Sequence, residues 1–134
     1  MTKKSSAAIT WPKGGELTKE WVTNLASVME ANTHTGPSHP ANLRKLVPKS
    51  VMEKLLKATL SVLEGEGTLV QVTPSSPDVR VNVVGDMHGQ FHDALRLMHL
   101  AGEPSETNWY VFNGDFVDRG AWGAELVALV FAWK

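Results

Sequence analysis

The chain has 134 residues, 43% of them hydrophobic, and a formal net charge of −1. That suits one domain of ordinary size and leaves no strong field to draw it to nucleic acid or an anionic membrane. It has no cysteine, so disulfides and thiolate metal centres are excluded, and any metal must be held by oxygen and nitrogen.

The opening residues Met1 to Ile9 carry charge but no apolar run of signal-peptide length. The longest apolar stretch, Leu126 to Trp133, is far short of the roughly 20 residues of a membrane span. The expected location is cytoplasmic or nuclear. Residues 1–16, with Pro12-Lys13-Gly14-Gly15, read as a loose lead-in. From Leu17 to Ala31 the apolar residues Trp21, Val22, Leu25, Val28 and Met29 mark one face of a helix, which Thr18 can cap. Residues 32–42 read as a loop. A second helix is expected from about Pro48 to Leu63, with Val51, Met52, Leu55, Leu56, Val62 and Leu63 as its buried stripe and Gly65 as its stop. Leu69 to Thr73 has the composition of a short strand, followed by the turn Pro74-Ser75-Ser76-Pro77.

The pattern then changes. Val79 to Val84 reads as a buried β-branched strand and Gln90 to Ala101 as a helix with Phe91, Leu95, Met98 and Ala101 on one side. Trp109 to Phe112 reads as a second strand and Gly123 to Trp133 as a helix. Strand, helix, strand, helix implies parallel strands joined by a crossover. Ligands of such sheets bind beyond the carboxyl ends of the strands.

Two motifs stand at those ends: Gly85-Asp86-Met87-His88-Gly89 and Gly114-Asp115-Phe116-Val117-Asp118-Arg119-Gly120. Asp86 and His88, two apart in an expected extended segment, would face the same side. Gly85 and Gly89 would let the backbone turn beside an ion. Carboxylate oxygen with imidazole nitrogen suits a first-row ion, and Asp115 could reach the same ion or bridge to a second. Two metals about 3.5–4 Å apart can clamp the attacking and leaving oxygens of a phosphoester. Arg119 offers a guanidinium that grips phosphate through two parallel hydrogen bonds, and Asp118 is placed to orient an imidazole. Either motif alone is weak evidence, a common turn or a surface ion pair. Together, after two apolar strands and one βαβ length apart, they are specific. His34 and His39 sit in a polar loop, and His92 and His99 read as a solvated helix face. Trp21 and Trp109 read as core.

The runs from Gly85 through Phe91 and from Asn113 through Gly120 resemble two of the three signature blocks of the phosphoprotein phosphatase family of serine/threonine phosphatases. Ala121-Trp122-Gly123, the opening Trp11-Pro12, Gly14-Gly15, Leu17-Thr18 and Glu20-Trp21-Val22, and Leu46-Val47-Pro48 are similar to the plant type-seven members. The resemblance implies an α/β fold: an N-terminal helical segment over residues 17–68, then an incomplete calcineurin-like metallophosphoesterase βαβ core over residues 69–134. It implies two metal ions, iron or zinc with manganese, with Asp86 and His88 on one and Asp115 bridging both. Arg119 would bind substrate phosphate, and Asp118 would pair with a general-acid histidine.

That histidine belongs to a Gly-Asn-His-Glu block that this sequence does not contain. The resemblance therefore implies a truncated homologue, inactive as a 134-residue chain. Three functions remain open. The chain could be the N-terminal part of a protein phosphatase acting on phosphoserine or phosphothreonine. It could be a non-catalytic module that binds a protein partner through an exposed sheet edge and an uncovered last helix. The third reading, a small-molecule metallophosphoesterase, is disfavoured by the extended Val117-Asp118-Arg119-Gly120 block. No nucleic-acid or membrane partner is expected.

Overall fold

The computed structural model describes residues 7–33 and 40–134. The expected loop with His34 and His39 lies largely outside the described residues. Helices α1 (Lys19–Thr33), α2 (Pro40–Leu46) and α3 (Lys49–Glu64) precede β1 (Arg80–Val84), α4 (Phe91–Ala101), β2 (Asn108–Phe112) and α5 (Gly123–Trp133). The chain divides into two compact units, Met1–Val62 with Ala128–Lys134, and Leu63–Val127.

In the first unit, α1 begins where the sequence supplies a cap: the Thr18 Oγ1 accepts a hydrogen bond from the Trp21 N–H at 3.3 Å. Hydrogen bonds from its own backbone N–H and from Thr18 hold the Glu20 carboxyl below its usual range. Val22, Leu25 and Met29 are buried on one face, as the periodicity requires. Part of the expected loose lead-in is anchored. Ile9 is buried and its N–H donates to the Leu46 carbonyl at 2.7 Å. The Trp21 indole donates to the Thr10 carbonyl at 2.8 Å and meets Trp11 edge-on at 5.8 Å. Helix α2 takes up residues expected in a loop and in the run before the second helix; Pro40 at its first position has no N–H to satisfy.

Helix α3 corrects its expected stripe. Val51, Leu55 and Thr59 are buried in one i, i+4 row, while Leu56, Val62 and Leu63 are exposed. Thr59 enters that row because its hydroxyl is satisfied inside the unit, donating to the Leu55 carbonyl at 3.0 Å with the Phe131 carbonyl at 3.3 Å. Phe131 belongs to α5, whose bounds match the expected ones. The expectation of an uncovered apolar helix is overturned: Ala128, Leu129, Val130 and Ala132 are all buried, and they fall in the same compact unit as α1 to α3.

In the second unit, β1 and β2 pair in parallel, in register from Arg80 opposite Asn108 to Val84 opposite Phe112. This is the α/β arrangement read from the sequence. The strands are less buried than expected, and Val83 is 72% exposed, since among the described residues the sheet has two strands and each has an edge. The expected strand at Leu69 to Thr73 is absent. Among the described residues its alternation finds no neighbouring strand to complete a ladder, and Leu69 and Val70 are exposed. Helix α4 buries Phe91, Ala94 and Met98, with Ala94 in place of the expected Leu95. Gly102 follows at φ 87°, and buried Asn108 donates through Nδ2 to the carbonyls of Ala101, Gly102 and Glu103 at 3.2, 2.9 and 3.0 Å. Asn108 Oδ1 in turn accepts from Asn82 Nδ2 at 2.9 Å. One side chain thus ties the end of α4 to both strands.

Candidate metal and phosphate site

The register places the site. Val84 and Phe112 are paired, so both strands end at one level and both motifs start there. The ladder runs one bond further, from the Asn113 N–H to the Val84 carbonyl at 2.8 Å. Beyond it the two loops are laced together. The Asp115 carbonyl accepts from the N–H groups of Met87 at 3.0 Å and His88 at 2.9 Å, and the Gly89 N–H donates to the Phe116 carbonyl at 2.8 Å. The Gly120 N–H returns to the His88 carbonyl at 2.8 Å.

This lacing corrects the expected extended path. His88 sits at φ 42° and the Met87 carbonyl accepts the Gln90 N–H at 2.9 Å, so the segment turns at the imidazole. Asp115, Asp118 and Arg119 are left-handed as well, at φ 52°, 65° and 56°. Non-glycine residues seldom adopt this region, and such outliers cluster at functional sites. Of the two glycines flanking His88, Gly89 is the one that needs its conformation. It has φ 71°, and a Cβ there would stand 2.8 Å from the Gly120 carbonyl oxygen. A Cβ on Gly85 would meet nothing within 4 Å.

Asp86, His88 and Asp115 converge. One ligand atom from each lies within 4.8 Å of the others. His88 Nε2 is 3.8 Å from Asp86 Oδ2, and Nδ1 is 3.1 Å from Asp115 Oδ1. Nδ1 also lies 3.0 Å from the Val117 carbonyl oxygen. A carbonyl and a carboxylate only accept, so Nδ1 carries a proton, and Nε2 is the nitrogen turned toward Asp86. A metal-binding histidine has this arrangement, its second nitrogen donating to a backbone carbonyl. Ligands held at about 2.0–2.2 Å from one ion stand up to about 4 Å apart, a little closer than the 4.8 Å within which these three groups lie. The donor set of two carboxylates and one imidazole fits a divalent first-row metal. Asp86 and Asp115 are exposed and His88 is half-buried, which leaves the place open to solvent and ligand.

Asp118 and Arg119 are exposed on the loop after β2, and Asp118 is not among the converging groups. Among the described residues their side chains make no ion pair or hydrogen bond, so the surface salt bridge that such a pair commonly forms is not present. His99 is exposed as expected, whereas His92 packs edge-on against Trp122 with ring centroids 4.7 Å apart. Trp21 and Trp109 are half-buried. Sequence reasoning missed the Val117 carbonyl and the His92–Trp122 pair. The only available signal was the density of Gly and Asp, residues that tolerate left-handed backbone.

The calcineurin-like phosphoesterase family model matches residues 79–134. Serine/threonine-protein phosphatase 7 of Arabidopsis thaliana is 42% identical over 126 residues, which is 94% of this chain and 30% of that protein. Human serine/threonine-protein phosphatase 5 is 41% identical over 91 residues, 68% of this chain and 18% of that one. A solved structure of a protein serine/threonine phosphatase from Saccharomyces cerevisiae, with similarity to human phosphatase PP5, aligns with a TM-score of 0.62 at 38% identity, over 65% of this chain and 28% of its own. The chain therefore spans less than a third of the length of these relatives. Sequence motifs, βαβ geometry and relatives agree: the chain belongs to the phosphoprotein phosphatase family of calcineurin-like phosphoesterases, close to the plant type-seven members.

Proposed function

We propose that Asp86, His88, Asp115 and Arg119 form the metal- and phosphate-binding half of a metal-dependent protein phosphatase acting on phosphoserine and phosphothreonine. The observation that carries this reading is the convergence of Asp86, His88 and Asp115 within 4.8 Å, with Nδ1 of His88 engaged by the Val117 carbonyl at 3.0 Å. Asp86 and His88 are assigned to one ion, and Asp115 is assigned to join it to a second. Iron or zinc is proposed for one place and manganese for the other.

Bound ions there would supply positive charge that acidifies water and steadies phosphate oxygens. The remaining steps fall to the chain. Arg119, whose guanidinium is exposed, receives two phosphate oxygens in a bidentate pair. Asp118 is assigned to pair with a general-acid imidazole that these 134 residues do not supply.

The 134 residues contain no Gly-Asn-His-Glu run, and general acid–base catalysis supplies roughly 10²–10⁴ in rate. The 134-residue chain by itself is therefore proposed to bind metal and phosphate without useful turnover. The test is manganese(II) titration by calorimetry, paired with hydrolysis of a phosphoserine peptide. Metal binding that is lost in Asp86→Asn supports the site. Absence of metal binding removes it. Hydrolysis that vanishes in Asp115→Ala would show that the half-site works unaided and would overturn the proposed inactivity.

A further inference from the structure

Trp122 lies outside the residues assigned to metal and phosphate, yet its neighbours adjoin them. Its N–H donates to the Gly89 carbonyl at 3.2 Å, one residue beyond His88. Its ring stands perpendicular, at 88°, to His92 with centroids 4.7 Å apart, and His92 in turn packs at 5.5 Å against the fully buried Phe91. The next residue, Gly123, lies so close to Val117 that a Cβ would stand 3.3 Å from Val117 Cγ1. Val117 is the residue whose carbonyl faces His88 Nδ1. The Trp122 Nε1 is buried and, among the described residues, has no hydrogen-bond partner. A buried donor left unmade is costly, so packing alone would favour phenylalanine. Here the larger indole surface covers His92.

We propose that Trp122 is a positioning residue for His88. It clamps the Gly89 turn through its backbone and α4 through His92, and it sets Gly123 against Val117. Together these contacts hold the imidazole with Nδ1–H on the Val117 carbonyl and Nε2 presented outward. The inference rests on the proposed metal site only for what Nε2 is presented to.

The test uses Trp122→Phe, Trp122→Leu and His92→Ala in the full chain. Thermal melting first establishes that each variant folds. Two readouts follow: the His88 tautomer from long-range proton–nitrogen NMR of the neutral ring, and manganese(II) affinity by calorimetry. The wild type is expected to show the Nδ1–H tautomer. Trp122→Phe keeps a ring on His92 and is expected to keep that tautomer, with affinity within about threefold. Trp122→Leu is expected to mix the tautomers and weaken manganese(II) by about 10-fold or more, the range seen when partners of metal-binding histidines are removed. A folded Trp122→Leu with the wild-type tautomer and affinity overturns the proposal, as does a wild-type Nε2–H tautomer. If Trp122→Leu does not melt cooperatively, His92→Ala is measured in the same two ways, and a wild-type tautomer and affinity there overturn the proposal equally. A wild type with the Nδ1–H tautomer but no manganese(II) binding removes the metal reading alone, and the tautomers of the variants then decide the positioning role.

Discussion

Gly120 and His88 meet in one hydrogen bond and one close approach of their backbones. The Gly120 N–H donates to the His88 carbonyl at 2.8 Å, and a side chain on Gly120 would collide with that same oxygen. The loop after β2 thus closes onto the loop after β1 at the His88 carbonyl, at a point where no Cβ fits.

Gly120→Ala and Gly89→Ala should both open this closure. Overpacking costs roughly 1–3 kcal/mol, and at Gly89 the φ of 71° adds strain of about 1 kcal/mol or more. Each substitution is expected to lower stability by about 2 kcal/mol or more and to weaken metal binding. Urea midpoints that stay within about 0.5 kcal/mol of wild type, the range of an indifferent surface change, would contradict the close approach.

Asp86→Asn and Asp115→Asn keep size and remove charge. Loss of outer partners already costs about 10–100-fold in metal affinity, so loss of a ligand should cost about 100-fold or more. The folded state should survive, since both carboxylates are exposed. Calorimetric titration with manganese(II), alongside a thermal melt, separates the two effects; wild-type affinity in both variants would remove these residues from the site.

Asn108→Ala should be among the most damaging single changes away from the site. It removes the donor to three carbonyls at the end of α4 and the acceptor of Asn82. Leaving buried polar groups unpaired costs about 1–3 kcal/mol each, less where water reaches them, and a total near 3 kcal/mol is expected. Because Asn82 also donates to the Trp109 carbonyl at 3.0 Å, a double-mutant cycle with Asn82→Ala should show coupling between the two amides. Additive losses would mean that their bond contributes little.

Glu20 gives a pH dependence whose sign follows from its lowered carboxyl pKa, caused first by the hydrogen bond from its own backbone N–H and then by Thr18. A carboxyl held lower in the folded chain than in the unfolded one stabilises the fold above the unfolded value, about 4.3 for glutamate. That contribution is lost as pH falls through the folded value. Glu20→Gln should therefore melt slightly lower than wild type near neutrality, and the difference should vanish in acid. The effect is small because the group is fully exposed. A difference that grows as pH falls would reverse the assignment.

Much of this molecule was legible before folding was considered. Helix α5 begins and ends at Gly123 and Trp133 as its composition indicates, and α4 starts at Phe91, one residue after the expected Gln90. Local spacing and glycine stops decide such elements, so the chain alone reports them. The parallel order of β1 and β2 was equally readable, because a helix between two apolar strands leaves few other topologies. Failures came where burial depended on distant partners. Leu69 to Thr73 alternates like a strand but has no neighbour to pair with among the described residues, and Leu56 shares the helical period of α3 yet faces solvent.

Residue identity was sufficient to single out Asp86, His88 and Asp115 as candidate ligands, and the fold brings them within 4.8 Å of one another. Identity alone could not reveal that His88 stands in a left-handed turn, that Nδ1 faces the Val117 carbonyl, or that Trp122 leans on His92. These arise from backbone groups meeting across two loops, and no periodicity of a single segment encodes them. Nor could composition say that the apolar end of α5 is covered. Burial there depends on which elements share its compact unit, a relationship between Phe131 and Thr59 that spans 72 positions in sequence and exists only once the chain is folded.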